Sequence, residues 1–90
     1  MGILPVSWVM SKDLSHDEAQ RLQASGAIVP LEQVLEQARA RMPGRLLELE
    51  LEREHGMLIY EIEIIDADGI VWELEFNAVN GEFLRLKQDD

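Results

Sequence analysis

The side chains in this sequence best suited to chemistry are carboxylates spaced two residues apart. Glu48, Glu50 and Glu52 alternate with Leu47, Leu49 and Leu51, Glu61 and Glu63 with Tyr60, Ile62 and Ile64, and Glu73 and Glu75 with Trp72, Leu74 and Phe76. Paired carboxylates can divide acid and base roles, as in glycoside hydrolysis, or supply oxygens to a hard cation. Acid–base work needs surroundings that push two pKa values apart. Calcium usually takes about six to eight oxygens, including loop carbonyls. A period of two makes strands, not a cleft. On a flat open sheet nothing separates the glutamates' pKa values, and Asp66-Ala67-Asp68-Gly69 lacks the spacing of a calcium loop.

The other reactive residue types are sparse. His16 stands at a helix start and His55 in a turn, neither has a second histidine at metal spacing, and there is no cysteine. Ser7, Ser11, Ser15 and Ser25 lack the surroundings of an activated nucleophile. No glycine-rich phosphate loop is present. These residues predict no catalytic centre, no metal site and no cofactor, and so a binding module, not an enzyme.

The elements that position the glutamates follow from the turns. A two-residue turn at His55-Gly56 pairs Leu47 with Ile64, Leu49 with Ile62 and Leu51 with Tyr60. A three-residue loop at Ala67-Asp68-Gly69, with Gly69 left-handed, pairs Ile64 with Trp72 and Ile62 with Leu74. The same loop type at Val79-Asn80-Gly81 pairs Phe76 with Leu84 and Leu74 with Leu86, leaving Phe83, Arg85 and Lys87 on the other face. A slip of one residue in any hairpin would put charges in the core. The predicted fold is α+β, with two N-terminal helices, the second packed on one face of a four-stranded antiparallel meander. The first helix runs from about Ser15 to Ser25, opened by the capping-box pattern Ser15 to Glu18 and stopped at Gly26. Its thin apolar content, Ala19 and Leu22, predicts a surface position. The second runs from Pro30 to Met42, with Leu31, Val34, Leu35, Ala38 and Met42 as its apolar stripe and Pro43-Gly44 as its stop.

These registers place one row of Glu48, Glu63, Glu73 and Lys87 beside a second of Glu50, Glu61, Glu75 and Arg85. Such a face is either solvated surface or a docking site for a basic partner or a cation; Glu48, Glu50, Glu61, Glu63, Glu73 and Glu75 are its candidate binding residues. Beside it, Leu46, Ile65 and Val71 are expected to form an apolar row that Trp8 could plug, a second candidate contact patch. The edge strand Arg45 to Glu54 could also accept a partner strand.

Ninety residues allow one domain with a modest core. A formal charge of −10 repels nucleic acid and anionic lipid. No segment approaches the roughly 20 apolar residues of a membrane span. Ile3 to Met10 is a short apolar run, and Val9 and Ser11 are spaced like the tail of a secretory signal. It lacks a basic leader, and the alternative is an N-terminal arm packing Trp8 on the domain.

Ile28-Val29-Pro30-Leu31-Glu32-Gln33-Val34-Leu35, Met42-Pro43-Gly44-Arg45, Tyr60-Glu61-Ile62-Glu63, Asp66-Ala67-Asp68-Gly69 and Asn77-Ala78-Val79-Asn80-Gly81-Glu82 together resemble the PepSY domain family, over about Ile28 to Lys87. The resemblance divides the chain into an arm and short helix, 1–27, and a PepSY-like domain, 28–90. It implies one helix on an antiparallel sheet, a periplasmic or secreted location, and a role in binding or regulating a peptidase or a signalling partner. It transfers no catalytic residue. With no peptidase domain following, the implied action is in trans. Two alternatives stand beside it: a ligand- or cation-sensing accessory of a signalling system, and a self-associating module that buries Trp8, Leu46, Ile65 and Val71 in a homodimer.

Overall fold

The period-two runs pair in sequence order, and each turn residue has a conformation that its chemistry allows. The computed structural model describes the backbone of residues 8–10 and residues 14–89. Its elements are β1 (Trp8–Met10), α1 (His16–Ala24), α2 (Leu31–Arg41), β2 (Arg45–Glu54), β3 (Met57–Ile65), β4 (Val71–Asn77) and β5 (Phe83–Gln88). The four strands β2 to β5 form the antiparallel meander, and the fold class is α+β as the pattern predicts. His55 and Gly56 both adopt positive φ, 52° and 76°, as a two-residue hairpin with the right-handed twist requires. The side chain of Asp66 organises the next turn. It accepts from the backbone N–H groups of Asp68 and Ile70 and from the indole Nε1 of Trp72, each at 2.8–2.9 Å. This aspartate is a turn anchor.

The meander has a fifth strand. β1 pairs in parallel with β2, Trp8 opposite Leu49 and Met10 opposite Leu51, so the sheet order is β1-β2-β3-β4-β5. The edge expected at Arg45 to Glu54 is thus covered along its middle by the chain's own N-terminal segment. The expected plugging of the outer row by Trp8 concerns a side chain outside the described residues, as does the signal-like spacing at Ser11.

Two register details differ from the parity argument. The ladder from β2 to β3 shifts between Leu46 and Glu48, so Leu46, not Leu47, stands opposite Ile64. Leu46 packs against the core and Leu47 is exposed. Between β4 and β5 the shift lies at Phe76, which stands opposite Phe83, not Leu84. Phe83 meets Phe76 edge to face at 5.6 Å, under the guanidinium of Arg41 at 3.9 Å. Leu84 is left exposed. In both ladders one extra residue is absorbed as a bulge, so the apolar neighbour one position away takes the core site.

The core joins Leu49, Leu51, Tyr60, Ile62, Ile64, Leu74 and Phe76 from the sheet to Val34 and Ala38 from α2. Leu31, Leu35 and Met42 pack at its margin, so the predicted stripe is the buried face of α2. Ser15 caps α1, its hydroxyl accepting from the Glu18 N–H at 3.1 Å. As its thin apolar content predicts, α1 lies on the surface, exposed along most of its length, and docks through Ala19, buried in the core, and Leu22 at the core's margin; Leu14, just before the cap, is buried in the same core.

The segments that carry the family resemblance close this fold. Val29 donates its N–H to the Ala78 carbonyl at 2.8 Å, Ala78 donates to Leu58 at 2.8 Å, and the buried Tyr60 hydroxyl donates to the Val29 carbonyl at 2.9 Å. The Asn77 side chain accepts from the Val79 N–H at 2.8 Å, and Gln37 of α2 donates to the Gly81 carbonyl at 3.1 Å. Gly44 passes so close to β3 that a Cβ there would collide with the Ile65 carbonyl and the Ile64 side chain. That close approach explains why glycine follows Pro43.

Candidate functional site

The face of the sheet opposite α2 carries the glutamates, and the registers assemble them into the two predicted rows. Glu48 stands opposite Glu63, Glu63 opposite Glu73 and Glu73 opposite Lys87; Glu50 stands opposite Glu61, Glu61 opposite Glu75 and Glu75 opposite Arg85. All six candidate acidic residues are therefore neighbours on one surface. Each row has carboxylates at three positions and a single cation at the β5 end.

That asymmetry decides the electrostatics. Arg85 Nη2 lies 2.9 Å from Glu75 Oε2, and Lys87 Nζ lies 3.4 Å from Glu73 Oε2. Glu73 and Glu75 are only 8% exposed, so the face is not the uniformly solvated surface that exposed charge runs usually make. Glu61 and Glu63 have carboxylates on both sides along their rows. Partial burial, then a hydrogen bond to Glu73 and the charges of Glu73, Glu50 and Glu75, pushes Glu61 from the ordinary 4.5 up to about 8. Burial, a hydrogen bond to Asp89 and the charge of Glu48 push Glu63 up to about 7. At Glu61 and Glu63 burial, the hydrogen bond a proton supplies and the repulsion of ionised neighbours all favour the protonated form.

Two members of this face lie outside the predicted rows. Glu52 continues the period of Glu48 and Glu50, and burial with hydrogen bonds to Glu50 and Glu54 raises it to about 9. The alternation itself was the signal for it. Asp89 joins through Glu63, and nothing in the strand pattern announces that contact. Among the described residues, the carboxylate oxygens of Glu50, Glu52 and Glu61, and those of Glu61, Glu73 and Glu75, lie within 4.8 Å of one another. Each trio offers three carboxylates on an open face, and no loop carbonyls of the kind calcium sites usually add are among the grouped ligands.

The apolar candidates do not assemble as expected. Ile65 stands opposite Val71, and both are half-buried beside the acidic rows. Leu46 turns to the core through the β2 bulge, and Arg45 takes its place opposite Ile65. The row is therefore Arg45, Ile65 and Val71. Neither histidine approaches a catalytic arrangement: His16 begins α1 and His55 forms the first hairpin turn.

Among the described residues, no helix is long and apolar enough to cross a membrane. No curated protein and no solved structure matches the chain. A family model does, over residues 28–87, and its description is peptidase propeptide and YPEB domain. The matched span runs from Ile28-Val29, where Val29 latches Tyr60 and Ala78, to the ion-paired Lys87 at the end of the acidic rows, and on that match the chain belongs to the PepSY family.

Proposed function

We propose that this chain is a non-enzymatic binding module that modulates a peptidase, or another protein of the cell envelope, in trans. The family is a propeptide and regulatory module of peptidases, which supports a regulatory role. The observation that carries the choice of surface is the imbalance of the rows. Glu48, Glu50, Glu61 and Glu63 lie in carboxylate rows whose cations, among the described residues, are Arg85 and Lys87 at the β5 end. A partner presenting Arg or Lys at strand spacing would relieve this repulsion and gain charge-assisted hydrogen bonds. The envelope location follows the family's usual setting.

The test compares the parent protein with a variant carrying Glu48→Gln, Glu50→Gln, Glu61→Gln and Glu63→Gln. It leaves the Glu73 and Glu75 ion pairs intact. Each is used to capture partners from the native envelope fraction and is then added to the captured peptidase. The expected result is capture and a change in peptidase activity by the parent, with both lost in the variant and weakened by salt. Equal capture by both proteins would place binding elsewhere and overturn the acidic-face reading.

A further inference from the structure

The two edges of the sheet are treated differently. β1 covers the middle of β2, while β5 has no neighbour beyond it among the described residues. Every residue from Leu84 to Gln88 is exposed. The Asp89 N–H donates to the Val71 carbonyl at 2.9 Å, which fixes the alternation along β5. Lys87 and Arg85 direct their backbone groups toward β4, and Leu86 and Gln88 direct theirs outward. Leu84 and Leu86, 40% and 39% exposed, extend the apolar face past the helix cover. On the opposite face Arg85 and Lys87 end the acidic rows, with side chains 54% and 49% exposed.

We propose that β5 is a strand-addition site for an extended protein segment that alternates acidic and apolar side chains. The inference rests on reading the module as protein-binding, but at the β5 edge where the acidic rows end in cations, away from the glutamates of β2 and β3. An added strand would take the outward N–H and C=O groups of Leu86 and Gln88 and cover Leu86 with its apolar residues. Its acidic residues would stand opposite Arg85 and Lys87, giving each cation a carboxylate on both sides and continuing the rows Glu63-Glu73-Lys87 and Glu61-Glu75-Arg85 outward. Charge complementarity selects this occupant over a second copy. Two β5 strands paired antiparallel about Leu86 would set Arg85 against Lys87 of the other copy, and like charges directly opposite are unfavourable.

The test titrates the full chain with a short synthetic peptide alternating valine and glutamate, beside one alternating valine and lysine, and follows backbone amides by NMR. The expected result is binding of the glutamate peptide with slowed hydrogen exchange at the Leu86 and Gln88 amides. Arg85→Gln with Lys87→Gln weakens it about tenfold or more, the loss of at least one charge-assisted contact. Leu86→Pro removes an outward donor at a position where an edge strand tolerates proline and abolishes the binding; an unchanged β4–β5 amide pattern shows that the variant is folded. The Glu48, Glu50, Glu61, Glu63 glutamine variant retains it, which separates this edge from the acidic face. Binding of only the lysine peptide, at the glutamate rows, would leave the acidic-face reading standing and overturn this one. Absence of binding at millimolar glutamate peptide, or β5 amides already protected in a concentration-dependent dimer, would overturn it too.

Discussion

Raising the pH through neutrality should destabilise this domain. Glu63, Glu61 and Glu52 have folded-state values of about 7, 8 and 9 against an ordinary 4.5. Between the ordinary value and the raised one, the folded state binds more protons than the unfolded state, so stability falls as pH rises. The stabilisation is complete below about pH 4.5 and is lost progressively up to about pH 9. Asp66 acts with the opposite sign but in another window. The N–H donors of Trp72 and Ile70 hold its carboxyl below the usual 3.8, so its contribution is lost only in stronger acid. The magnitude cannot be taken from full conversion at about 1.4 kcal/mol per pKa unit, because these side chains are only partly buried and solvent screens them. A better scale is the cost of like charges directly opposite in a sheet, up to about 1 kcal/mol per pair. Each row holds two carboxylate–carboxylate pairs. With screening that gives about 2 kcal/mol between about pH 5.5 and about pH 8.5, or roughly 10 °C in melting temperature for a domain of this size.

Urea unfolding followed by far-UV circular dichroism measures this without adding salt. The parent should have the higher midpoint at the acidic pH, and about 0.5 M NaCl should narrow the gap. Glu61→Gln should flatten the profile and, at the alkaline pH, be more stable than the parent, because an uncharged amide removes repulsion on both sides. A stability that stays level or rises from about pH 5.5 to 8.5 refutes the reasoning, as does a glutamine variant less stable than the parent at the alkaline end.

Three substitutions test the closing contacts. Gly44→Ala forces a Cβ against the Ile65 carbonyl and should lower stability by about 1–3 kcal/mol; an unchanged urea midpoint would show that the β2 entry yields without strain. Tyr60→Phe strips the donor from the Val29 carbonyl and should cost about 1–2 kcal/mol, with faster amide exchange at Val29 and Ala78 as its signature. Asp66→Ala removes the acceptor shared by Asp68, Ile70 and Trp72. It should lower the melting temperature and shift Trp72 emission; a parent-like melt would mean the β3–β4 turn holds without its anchor.

The sheet was legible because its signals are redundant. Each turn fixes a parity, and each parity must also bury Leu49, Ile62 and Leu74 together; only one set of registers does both. The rows of glutamates came with it at no further assumption. What parity cannot show is a bulge, since Leu46-Leu47 and Phe83-Leu84 each offer two apolar neighbours, and either can take the inward site. The choice is made by how the strand entering from Gly44, or leaving the Asn77–Glu82 turn, meets α2, which is tertiary information. The same limit hid β1: three residues of parallel pairing leave no periodic signature. The burial of Glu73 and Glu75 was also illegible, because the alternation of strands tells which face a side chain takes, not how closely its neighbours crowd it.

The motifs that identify the family are occupied in holding the domain shut. Val29, Tyr60 and Ala78 latch to one another or to neighbouring strands, Gly44 clears β3, Asp66 ties its turn, and Gly81 receives Gln37. The hydrogen-bonding groups in these contacts already have partners within the fold. They can fix where a partner must sit but not which partner it is. Selectivity then has to come from side chains that the fold leaves accessible, and the accessible surface here offers two opposite chemistries side by side: carboxylates opposite one another across β2 and β3, and cations at the β5 edge. A basic partner and an acidic strand would therefore compete for the same glutamate–cation pairs at Glu73 and Glu75, so occupying one surface changes the charge presented by the other.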